Sequence, residues 1–247
     1  LVGSEMCIRD RDKLTPRQSR AWGLCALSVP AAMALAGRGW LWVLAGSAAA
    51  SGIVLFLQTL QRRSGQSLPE QMARAFGRRS GRLLGAAVCL WLLLAASGAA
   101  AASQIAFEDD LGPLAPAVPL LLAALASRKG QAAAARVSGV LALCLALLYS
   151  IIALASLRHV QAAWCRPWGS AADAGLSLCL CLTPACLLFL DGPGQTPRPG
   201  WSALVAAVLP GVAALLCSAC LSPAWTAQLP QPLYTLTKSL SVLSVMQ

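Results

Sequence analysis

The chain has 247 residues, of which 57% are hydrophobic and only 11% charged, with a mean hydropathy of +0.67 and a formal net charge of +10. Soluble globular domains carry about 25% charged residues, so this balance excludes an ordinary soluble domain and points to a membrane protein. The basic excess does not indicate a nucleic-acid partner, because Lys and Arg cluster at the ends of apolar runs with little aromatic interleaving.

Leu1–Arg11, LVGSEMCIRDR, has no initiator Met at position 1 and no apolar core of a signal peptide. It reads as a translated adapter artefact, and residues 12–247 are expected to form a single transmembrane domain. Trp22–Ala36 is the first apolar run, short for a bilayer and interrupted by Pro30 after Ser28 and Val29. Proline in a helix interior removes a backbone hydrogen bond and costs about 3 kcal/mol unless neighbours compensate. Two readings stand: a kinked anchor helix, or a broken helix whose released backbone groups face a binding cavity.

Trp40–Leu60 and Leu83–Ser103 are each 21 residues without a charge. At about 1.5 Å rise per residue, either crosses a hydrocarbon core of about 30 Å. Between them lie six arginines, Arg62, Arg63, Arg74, Arg78, Arg79 and Arg82, against one acid, Glu70. Ser67-Leu68-Pro69-Glu70 has the form of a capping box with proline in the first helical turn. Leu68, Met72 and Phe76 then share one face, which predicts a short amphipathic helix on the cytoplasmic membrane surface, ended by Gly77 or Gly81. In the next span, the small residues AASGAAAAS around Ser97 predict a helix interior to the bundle.

Glu108-Asp109-Asp110 is expected outside, and Pro113, Pro116 and Pro119 lead into a fourth span ending at Ala126. After the basic turn Ser127–Gly130, a fifth span is expected from about Ala132 to Leu157. The outer loop Arg158–Gly169 carries His159, Trp164 and Trp168, read as an ordinary loop histidine and interfacial anchors. A sixth span, Ala171–Leu190, is interrupted by Thr183-Pro184, and Trp201–Leu221 makes the seventh. The remaining segment from Ser222 is too polar to cross.

The fold class is therefore all-α, a polytopic membrane helix bundle of about seven transmembrane helices. The N-terminal tail, the first basic loop, the Arg128–Arg136 region and Arg198 hold 15 of the 19 Lys and Arg, which places the N-terminus in the cytoplasm. The ten cysteines lie mostly in apolar runs, where Cys packs as a small hydrophobe. Cys179/Cys181 and Cys217/Cys220 have metal-like or redox-like spacing, but with one histidine and no carboxylate cluster they read as packing. No metal or cofactor is expected. No carboxylate pair, Ser/His/Asp set or phosphate loop stands out, so an enzyme is not expected either.

Several segments together carry a resemblance. LTPRQ, WLWVLAG, QRRSGQSLPEQMARAFGRRSGRLLG, SRKGQAAAARVSGVL and SPAWTAQLPQPLYTLTKSLSVLSV, in that order and spacing, resemble the GerA-type spore germinant receptor B subunits. These are permease-like members of the amino acid–polyamine–organocation superfamily. The resemblance covers nearly the whole chain after Asp12 and is carried by order rather than by any single motif. It implies a LeuT-like architecture with the first and sixth spans broken at the bilayer midplane, where Pro30 and Thr183-Pro184 stand. Half-helix N-termini there could meet a substrate carboxylate. Two departures are a short first span lacking the family's Gly-Thr and an end before the eighth span, so a truncated product is expected.

The function implied is a membrane subunit that binds a small nutrient such as an amino acid and signals through receptor A and C subunits. Its location would be the inner spore membrane or the cell membrane, in contact with membrane lipid. An amino-acid or cation-coupled transporter is the alternative. Only Asp173 and Asp191 approach the spans, both at span ends, whereas coupled transporters often carry carboxylates within them. The expected ligand site lies between the first, third and sixth spans, at Ser28, Val29, Pro30, Ser97, Thr183 and Pro184.

Overall fold

A computed structural model describes residues 31–65, 68–128, 131–183 and 201–245. Within them the chain is helical, with 3-10 turns and no strand. Helix α1 is Trp40–Ser64, α2 Leu68–Phe76, α3 Arg78–Leu111, α4 Ala117–Arg128 and α5 Gln131–Ser156. Then follow α6 Ala171–Cys181, α7 Trp201–Leu221, the single turn α8 Pro223–Thr226, and α9 Pro232–Val245. Residues 31–35 are also helical.

Four segments are long and apolar enough to cross a membrane: Trp40–Ser64, Arg79–Gly98, Gly139–His159 and Leu204–Leu221. These correspond to the expected second, third, fifth and seventh spans. The expected fourth span falls short. Its helix α4 has 12 residues, about 18 Å at the α-helical rise, because Gly112 and the prolines after it divert the chain into a 3-10 turn first. Of the sixth, the 11-residue α6 is described. Ser28, Val29, Pro30, Ser67 and Pro184 lie outside the described residues.

Local chemistry explains where the helices stop. The Val43 N–H donates to Gly39 O at 2.9 Å, opening α1 without a side-chain cap. At its far end Gly65 adopts φ +63° and donates its N–H to Gln61 O at 3.1 Å, a conformation that a side chain would oppose. Of the two glycines expected to end α2, Gly77 does so, with φ +88°. Helix α3 runs 34 residues, about 51 Å, and takes in Glu108, Asp109 and Asp110 in its final turn. No glycine or proline stands between Ser103 and Gly112, so the helix outlasts the apolar run.

The chain divides into two compact units. Among the described residues, one holds 55–65, 68–128, 131–142 and 183; the other holds 31–54, 143–182 and 201–245. The second unit carries two apolar clusters. Ala36, Ile152, Cys217, Leu221, Leu233 and Leu236 form one; Ala31, Leu35, Val43, Ala50 and Cys181 form the other. The segment after Ser222 thus supplies core residues through α9 although it is too polar to cross. Half of the Leu204–Leu221 span is buried, whereas none of Arg79–Gly98 is. The small residues of α3 therefore do not place it in a bundle interior. They permit close approach but do not compel it, and Leu90, Leu93 and Leu94 on its exposed surface suit acyl chains.

Candidate functional site

Helix α6 ends just before Thr183-Pro184, where the sixth span is expected to be interrupted; Thr183 is itself helical, and Pro184 lies outside the described residues. The last residue of α6 is Cys181, and Leu182 closes it, donating its N–H to Leu178 O at 3.0 Å. Thr183 follows the turn, and its Oγ1 accepts the indole Nε1–H of Trp91 from the middle of α3 at 3.2 Å. An indole in an apolar helix needs an acceptor once it leaves water, and a threonine beside a helix break supplies one. The structure therefore joins the third span to Thr183 through Trp91. Ser97, the expected partner, is exposed and donates its hydroxyl to Leu94 O of its own helix at 2.8 Å. Six residues past Trp91 it lies on a different face of α3.

The second unit holds a denser set of polar contacts. Ser47 of α1 is fully buried, and its hydroxyl reaches Ala207 O of α7 at 2.5 Å. That carbonyl stands three residues before Pro210, which is also fully buried inside α7 and has no N–H to contribute to the helical ladder. Hydroxyl groups commonly satisfy backbone groups beside a membrane-helix proline. One turn away, buried Ser177 of α6 donates to Val43 O at 2.8 Å.

Glycines allow these helices to approach. A Cβ on Gly46 would lie 2.3 Å from Ala174 O and 2.8 Å from Ser177 Cβ, and one on Gly211 would lie 2.9 Å from Leu44 Cβ. Helix α1 is thus wedged against α6 through Gly46 and against α7 through Gly211, the small-residue packing of membrane helices.

At the start of α6 the buried Asp173 accepts the Ser170 N–H at 3.0 Å through Oδ2, while Arg38 lies 3.6 Å from Oδ1. Gly169, with φ +94°, packs its Cα against Gly39; a Cβ there would meet Asp173 Oδ2 at 2.5 Å. Trp40 Nε1 donates to Cys165 O at 3.1 Å, and the Gln161 N–H donates to Ala219 O at 3.0 Å, which ties the 158–169 loop to α1 and α7. The indole Nε1 of Trp168 is buried without a hydrogen-bond partner. His159 lies exposed in a 3-10 turn.

The cysteine pairs divide by face. Cys181 is buried in one apolar cluster while Cys179 is exposed; Cys217 is buried in the other cluster while Cys220 points its thiol at Ser156 O, 3.6 Å away. Sequence reading passed over Trp91, Ser47, Ser177 and Pro210. Only Pro210 carried a visible signal, a proline in the middle of an uncharged run.

No protein-family model, curated protein or solved structure matches this chain. Among the described residues the protein is mostly helical, without strands, and four helices are long and apolar enough to cross a membrane, compatible with integral membrane placement.

Proposed function

We propose that this chain is a ligand-sensing membrane protein of the germinant-receptor B-subunit type, with a LeuT-like arrangement and a cytoplasmic N-terminus, that binds a small nutrient such as an amino acid. The segment order quoted above supports the family reading. The ligand reading is supported by one observation: the Thr183 hydroxyl, in the apolar run that continues past α6, is held by Trp91 of the span-length helix α3. A break inside an apolar segment releases backbone N–H and C=O groups that need partners at membrane depth, and the carboxylate and ammonium of an amino acid are suitable partners. Signalling would pass to A and C subunits of the receptor.

The test uses the purified chain in detergent, screened for thermal stabilisation by each of the twenty L-amino acids. At a ligand concentration of 100 Kd, a one-site binder adds about 2.7 kcal/mol. Thr183→Val, which keeps shape and removes the hydroxyl, should weaken the response about tenfold, the size of one lost hydrogen bond in a dry site. Stabilisation that Thr183→Val leaves unchanged would remove Thr183 from the site. No stabilisation by any amino acid would refute the amino-acid reading, and accumulation of a radiolabelled amino acid in reconstituted vesicles would make the chain a transporter instead.

A further inference from the structure

Helix α2 is tied to the helices on both sides of it. Gln71 Nε2 of α2 donates to Ser64 Oγ at the end of α1. On the other side a Cβ on Gly81 would lie 3.2 Å from both Cα and Cβ of Ala73, so α2 packs tightly on the first turn of α3. Gly65 and Gly77, both at positive φ, make the two corners.

From this frame Arg62, Arg63, Arg74, Arg79 and Arg82 all project exposed, and among the described residues none of them pairs with a carboxylate. Arg79 and Arg82 lie in the opening turns of α3, where the helix dipole is positive and a cation is locally unfavourable. Their placement does not serve the helix. Among the arginines, Phe76 is 70% exposed and Leu83 73% exposed, with Leu60 on the last turns of α1 also exposed.

We infer that this turn is a docking surface for anionic phospholipid headgroups, with Phe76 entering the acyl boundary and the arginines gripping phosphodiester oxygens. Guanidinium forks match phosphate oxygens two at a time. An amphipathic element with basic and aromatic groups side by side suits the headgroup layer. Two span-length helices end at this turn, so a bilayer surface lies within its reach without any other partner. An acidic protein would satisfy the arginines but would leave Phe76 without an apolar partner. The surface does not depend on whether Thr183 meets a ligand.

Spin-labelled phosphatidylglycerol and phosphatidylcholine, each added to the full chain reconstituted in phosphatidylcholine vesicles, give the fraction of each lipid held at the protein. The expected result is about a fivefold preference for phosphatidylglycerol at about 0.1 M salt, from several arginines near the surface and within a Debye length of about 10 Å. The variant R62Q/R63Q/R74Q/R79Q/R82Q should hold both lipids equally. Should that variant fail to insert, Arg74→Gln alone, away from both span ends, should lower the preference about twofold. Equal retention of the two lipids by the unaltered chain overturns the inference and leaves the arginines to a protein partner or to topology alone. A preference that survives the substitutions also overturns it, by placing the anionic-lipid contacts elsewhere.

Discussion

Ser47 and Asp173 show how single polar groups act in a mostly apolar chain. Ser47 holds a carbonyl of α7 next to Pro210 from a position 160 residues away in sequence. Ser47→Ala should therefore destabilise the protein by about 1 kcal/mol, since hydroxyl bonds between membrane helices average about 0.6 and reach about 1.7 kcal/mol. Titration with a denaturing detergent should show the lower midpoint; an unchanged midpoint would mean that α7 holds its proline without help. Asp173 poses a choice between two partners. Arg38 is more than half exposed, and pairs of that kind contribute about 0.2–1 kcal/mol. The Ser170 N–H is a capping contact, and losing such a cap costs about 1 kcal/mol, up to about 2. Asp173→Ala should thus lower stability more than Arg38→Gln in the same titration, and the reverse order would make the ion pair the stronger contact.

Among the elements, α1 is the one that must fit its neighbours most closely. Gly46 has no room for a side chain, whereas a Cβ on Gly52, six residues on in the same helix, would meet nothing within 4 Å. Gly46→Leu should separate α1 from α6, at a cost above the 1–3 kcal/mol typical of overpacking, because backbone and not a flexible side chain stands in the way. Gly52→Ala should instead stabilise by about 0.5–1 kcal/mol through helix propensity. Parallel thermal melts of the two variants test the contrast, and equal effects would refute the packing described for Gly46. Both glycines look alike in sequence. Their difference comes from which face of α1 meets α6, a matter of helix rotation that local pattern does not carry. The same limit explains α3. The expected span begins at Leu83 whereas the helix begins at Arg78, and its small-residue stretch did not disclose that the helix would lie exposed.

For the molecule as a whole, the proposed orientation has a direct test. In a cysteine-free background, Ser80→Cys should resist an impermeant maleimide in intact cells and react once the membrane is opened. Strong labelling of intact cells would invert the topology. Apolar length and the bias of basic charge are local and nearly additive quantities, since each residue meets lipid or water largely on its own terms. That is why four of the seven expected spans reappear as span-length helices among the described residues, and why a glycine, Gly77 or Gly81, could be expected to end α2. The shortening of the fourth apolar segment to α4 needed the turn at Gly112, which apolar content does not reveal. The partners of the polar groups belong to tertiary structure. Trp91 meets Thr183 across 92 residues, and Ser177 meets Val43 across 134. A buried hydroxyl takes whichever unsatisfied backbone or side-chain group the packed helices bring within about 3 Å, and only their rotation and closeness decide which one that is.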